Sequence, residues 1–199
     1  MRPSRIDEPE LQCQEMINLA EQFLPLSRWG FQKSEIHTKP NARVIYESES
    51  CRVQLLWSGW DMYGGNTISI YYGRDRTTIN DSVVDLSGDV YYPWHDIRTV
   101  LNFLDGISSK EAVEQLYVHG QSPYIAEQFK QSNLGKNISS YQPEWLIRMH
   151  AAIWNHYGQR LFDIFDSHNI DLWDKYLLFE AEYKKMKKTR PKSGSSKES

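Results

Sequence analysis

At 199 residues, with 40% hydrophobic and 25% charged side chains, the chain has the length and composition of one globular domain that can hold a core without disulfides or metal. Its net charge of −3 conceals a split, because Lys184–Ser199 carries seven bases and one acid and leaves 16 bases and 25 acids, a net of −9, over the rest. A body that acidic repels a phosphate backbone, which argues against nucleic acid as the partner of the folded part.

Several familiar chemistries have no motif in the sequence. Cys13 and Cys51 form neither a CxxC nor a zinc-type Cys/His spacing, and the chain has no glycine-rich phosphate loop, HExxH or GxSxG string. No metal or cofactor is expected. Met1–Glu10 lacks the apolar segment of a secretory leader, and no stretch reaches the roughly 18 apolar residues of a membrane span. A cytoplasmic protein with no transmembrane segment is the expectation.

In chain order, a first helix is predicted from about Pro9 to Leu24. Pro9 suits the opening turn, Pro25 stops it, and Cys13, Met16, Ile17 and Ala20 recur at helical spacing. Arg43–Ser48 and Cys51–Trp57 then read as strands around a turn at Glu49–Ser50. In the second, Cys51, Val53, Leu55 and Trp57 alternate with Arg52 and Gln54, the period of a half-buried strand. Thr67–Gly73 alternates likewise, and Val83–Leu86 with Val90–Tyr92 predicts a hairpin closed by Ser87–Asp89. Connections this short require antiparallel pairing. The expectation is a meander of four or five strands over about residues 43–92.

From Trp94 the pattern turns helical. Ile97, Val100, Leu101 and Leu104 predict a short helix ending near Gly106, and Ser108–Glu111 has the form of a capping box before Ala112, Val113 and Leu116. A further helix is predicted over Pro123–Lys130, and a loop over Asn133–Tyr141. Pro143 opens a long helix carrying Leu146, Met149, Ile153, Tyr157, Leu161 and Ile164. After a turn at Asp166–Asn169, a second carries Leu172, Tyr176, Phe179, Tyr183 and Met186. The pair should form an antiparallel hairpin lying across one face of the sheet. The fold class is therefore α+β: one helix, an antiparallel meander, and a covering set of helices over about 94–186. Residues 1–186 make a single domain, and 187–199 a flexible basic tail.

Aromatic residues, 13% of the chain with seven Trp and twelve Tyr, gather where strands end. Trp57, Trp60 and Tyr63 stand three apart beside Gly64–Gly65, and Tyr71, Tyr91 and Trp94 add further rings. Such rings either fill the interior and cap the sheet, or form a recognition surface, since Tyr and Trp pair a large apolar face with a polar tip. The second possibility makes the chain a non-enzymatic interaction protein whose aromatic sheet ends meet a protein partner. An acidic body favours a basic one. The alternative is a small hydrolase in which His95 serves as general base with Asp96 and His119 in a cleft between sheet and helices. Asp96 and His95 are equally explained as the opening of a helix and a linker residue. His150 and His156 stand six apart, about 240° around a helix, and cannot clasp one metal; His150 falls on the apolar stripe as a core-edge histidine. Asp61, Asp75, Asp81, Asp85 and Asp89 are read as turn residues and not as a metal site.

Overall fold

Prolines bracket the first helix, α1 (Pro9–Phe23), in the computed structural model, which describes residues 8–39, 41–58, 67–74, 83–84, 90–91, 94–113, 143–166 and 168–189. Pro9 sits in the opening turn, where its missing N–H is not needed, and Leu24 before Pro25 is extended at φ −81°, ψ 139°. The α1 stripe of Cys13, Met16, Ile17 and Ala20 is buried.

Seven strands follow among the described residues: β1 (Gln32–His37), β2 (Arg43–Glu47), β3 (Cys51–Ser58), β4 (Thr67–Arg74), β5 (Val83–Val84), β6 (Val90–Tyr91) and β7 (His95–Asp96). Five of them form one antiparallel sheet in the order β1-β2-β3-β4-β7. Of the expected Val83–Leu86/Val90–Tyr92 hairpin, β5 and β6 pair antiparallel, Val83 opposite Tyr91, as a separate two-stranded sheet, while 85–89 and 92 lie outside the described residues. The strand beside β4 is β7, and the meander begins earlier than expected, at β1. That edge strand is shielded from further pairing by Lys33 and Glu35 and by an irregularity in register between them.

Register divides the residues between two faces. Tyr46, Val53, Tyr72 and His95 lie across from one another on the inner face, where α1 and the helix α3 (Pro143–Tyr157) pack against the sheet and each other. On the outer face, Gln54 pairs with Tyr71, and Tyr71 with Asp96. The half-buried reading of β3 is corrected here: Arg52 and Gln54 are 3% and 6% exposed, so this central strand is enclosed on both sides.

Asp96 opens α2 (Ile97–Leu104), its Oδ1 accepting from the Arg98 N–H at 2.8 Å. The Ser108/Glu111 capping box forms reciprocally: Ser108 N–H donates to Glu111 Oε2 at 3.0 Å and Glu111 N–H to Ser108 Oγ at 3.3 Å. Residues 109–113 are helical; Leu116, the Pro123–Lys130 helix and the Asn133–Tyr141 loop lie outside the described residues. The long helix expected from Pro143 to Ile164 is broken in two. Gly158 adopts φ 56°, ψ −136°, ending α3 and starting α4 (Gln159–Asp163), a positive-φ conformation that a residue without a Cβ takes at no steric cost. The last helix, α5 (Ile170–Thr189), takes in Lys187, Lys188 and Thr189; the remainder of the expected tail, 190–199, lies outside the described residues. Among the described residues, no helix is long and apolar enough to cross a membrane.

Candidate functional site

β7 is only two residues long, yet it carries two of the three catalytic candidates of the hydrolase reading. Successive strand residues point to opposite faces. His95, opposite Tyr72, enters the core, and Asp96, opposite Tyr71, turns outward. The two cannot work as a pair, and His119 lies outside the described residues.

The partner of His95 is Glu180, one α5 turn beyond Tyr176. His95 Nδ1–H donates to Glu180 Oε1 at 3.0 Å, and the Tyr176 hydroxyl donates to the same oxygen at 3.3 Å. Lys184 Nζ reaches the other carboxylate oxygen at 2.8 Å. Burial works to raise the Glu180 pKa, but the hydrogen bonds and charges of His95 and Lys184 outweigh it and hold the carboxyl at about 2. Rings close the site: Trp173, Tyr176 and Phe165 stand 5.1, 5.4 and 6.2 Å from the His95 ring, which is 5% exposed as a side chain.

A second polar chain crosses the core beside it. Trp154 Nε1–H donates to the Tyr72 hydroxyl at 2.6 Å, and that hydroxyl donates to His150 Nδ1 at 3.0 Å. Complete burial lowers the His150 pKa to about 4, so the ring is neutral and free to accept. Burial likewise pushes the Tyr72 hydroxyl well above the usual tyrosine value. The expected core-edge histidine is thus fully internal, one member of a three-residue relay.

The outer face of the same strands is built differently. Arg52 Nε–H donates to the Arg74 carbonyl at 2.6 Å, and its guanidinium lies 4.4 Å over the Trp94 ring. On the inner face, by contrast, Arg74 shares the side of Tyr72 and lies 4.9 Å from the Trp173 ring that closes the His95 site. Trp94 and Tyr71 are partly exposed. Next to them Asp96 accepts from Arg98 Nε at 3.0 and 3.2 Å. Burial acts to raise the Asp96 pKa, but the bonds and charge from Arg98 prevail and lower it.

Of the rings expected at the surface, Trp57 belongs to the core at 3% exposure, with its Nε1 unpaired among the described residues. Its strand alternation with Val53 and Leu55 points it inward, and that outweighs its place at a strand end. Trp60 and Tyr63 lie outside the described residues, as do Asp61, Asp75, Asp81, Asp85 and Asp89; for Tyr91 only the backbone, in β6, is described. Tyr71 and Trp94 remain. Much of the aromatic excess is interior, with Trp154, Tyr72, Tyr176 and Phe165 wholly enclosed.

A histidine donating to an ionised carboxylate is oriented as a general base would be. Substrate, however, would have to pass the Phe165, Trp173 and Tyr176 rings. No group of three His, Cys, Asp or Glu side chains among the described residues is placed to hold a metal. The residues that organise the region, Arg52, Arg74 and Glu180, are charged side chains in the interior. Glu180 had one signal in the sequence: it interrupts the Tyr176/Tyr183 apolar stripe, where a charge needs a buried partner. Comparison of the chain with family models, curated proteins and solved structures finds no match.

Proposed function

We propose that the chain is a non-enzymatic binding protein that meets a protein partner on the outer face of the β4–β7 edge. Trp94 would be the anchor, and Tyr71 its neighbour. The observation that carries the reading is the Trp94–Arg52 stack: a partly exposed indole held 4.4 Å from the guanidinium of a buried arginine. A ring fixed in this way loses little side-chain entropy on association and combines apolar area with an N–H donor, the properties of interface hot spots. The acidic body, net −9 outside Lys184–Ser199, favours a basic partner by speeding encounter.

The test is affinity capture with the wild-type chain, Trp94→Ala and Tyr71→Ala, each checked for retained fold by circular dichroism. Recovery of the specific partner should fall roughly tenfold or more for Trp94→Ala, the loss of a hot-spot residue. An unchanged set of partners refutes the reading. The hydrolase alternative is favoured by one observation, the His95–Glu180 hydrogen bond at 3.0 Å. It requires a hydrolytic activity that His95→Gln abolishes without altering capture.

A further inference from the structure

The outer surface of α5 presents a different feature. Five large apolar side chains are exposed among the described residues, and three of them, Ile170 at 61%, Leu177 at 37% and Leu178 at 72%, lie on this one helix. Its inner side is committed to the core through Trp173, Tyr176, Glu180 and Tyr183. Counting 100° per residue, Ile170, Leu177, Leu178 and the exposed Ala181 fall within one outward-facing arc of about 100°. Isolated exposed apolar residues need no explanation, but a stripe along one helix face marks a contact surface.

Charge on that helix indicates what covers the stripe. The exposed acids of the first half are Asp171 and Asp174, and the exposed bases of the second are Lys184, Lys185, Lys187 and Lys188. The two remaining exposed charges, Lys175 and Glu182, are arranged in the opposite sense. A second α5 laid antiparallel, with the two-fold axis between Leu178 and Phe179, brings Lys175 of one copy level with Glu182 of the other. The same operation brings Asp174 within one residue of level with Lys184 and Asp171 within one residue of level with Lys185, and places the Leu177–Leu178 segments together at the centre. Each exposed acid then meets a base, which is the self-complementarity that an isologous interface demands. A parallel arrangement would place like against like.

We propose that the α5 outer face is a self-association surface whose occupant is a second copy of this chain, paired antiparallel through Leu177, Leu178 and Ile170. The helix is 20 residues, about 30 Å, long. One pair of such helices covers less than the roughly 800 Å² per partner of a standard interface, so the dimer is weak and concentration-dependent. This surface shares no residue with the Trp94 face.

Sedimentation velocity of the full chain over about a hundredfold range of concentration is the test. The mass should rise from 23.4 kDa toward twice that value. Leu178→Glu, at a site exposed enough to leave the fold intact, should stay monomeric throughout. Lys175→Glu should weaken the dimer by about tenfold, and Lys175→Glu combined with Glu182→Lys should restore it, since the swap returns opposite charges to opposite positions. A wild-type chain that is monomeric at every concentration overturns the proposal. So does a Leu178→Glu variant that dimerises like wild type, or a double charge variant no tighter than the single one.

Discussion

Replacing Glu180 by Gln removes one formal charge from the interior while keeping the side chain's size, and the structure sets the cost. In the wild-type fold the carboxyl is held at about 2, against an ordinary value of 4.5. A difference of that size corresponds to about 3 kcal/mol of preferential stabilisation of the ionised form. The figure agrees with the geometry: His95 Nδ1 and the Tyr176 hydroxyl are buried donors that would lose a charged acceptor, whereas Lys184, 60% exposed, can return to water. Glu180→Gln should therefore cost about 2–4 kcal/mol at pH 7, lowering the midpoint of thermal unfolding by about 5–15 °C for a chain of this size. The pH dependence carries the diagnostic. Because the folded-state value lies below the unfolded one, the unfolded chain binds the proton first as pH falls. The stabilisation is complete above about pH 4.5 and is lost as pH drops towards 2. Urea unfolding followed by tryptophan fluorescence at pH 7 and pH 3 should show the two proteins far apart at the first and converging at the second. A variant within about 0.5 kcal/mol of wild type at pH 7, or a gap that does not narrow by pH 3, refutes the assignment of Glu180 as the charged keystone of the β7–α5 contact.

Two further expectations concern the neighbouring polar chain. Tyr72→Phe strands Trp154 Nε1 and His150 Nδ1 in the core and should cost about 2–4 kcal/mol by chemical denaturation; a loss under about 1 kcal/mol means those groups find other partners. His150 is held neutral in the folded state down to about pH 4, against an ordinary 6.5, so its contribution is present above pH 6.5 and lost as pH falls through 4. Wild type should lose about 2–3 kcal/mol from this group between pH 7 and 4.5, and His150→Gln should flatten that slope; an unchanged slope contradicts the assignment.

Much of the architecture was legible because local pattern and tertiary role agree in it. The α1 stripe between two prolines, the period-2 run of β3 and the Ser108/Glu111 box each state their geometry within a few residues. β1 was not legible, since Gln32–His37 is a polar edge strand with little apolar alternation to betray it. The break at Gly158 was missed because apolar spacing continues on both sides of it, while the change of direction lies in one backbone angle. At the candidate site, the place of Trp57 at a strand end leaves core and surface both open, and its alternation with Val53 and Leu55 is what places it inward. The alternation of its strand points Arg52 toward solvent. Its burial depends on a carbonyl of β4 and on Trp94, contacts made across the sheet and invisible in the local sequence. His95 was recognised as unusual, but its partner lies 85 residues away on α5, a distance no motif spans.

Photocrosslinking in the intact cell, with a photoreactive phenylalanine analogue in place of Trp94, reports whether a partner sits on the β4–β7 edge. A covalent adduct to one protein partner is expected from position 94 and none from the same analogue at Phe165, which is wholly enclosed. No adduct from position 94, in a chain that still folds, would contradict the proposed partner surface.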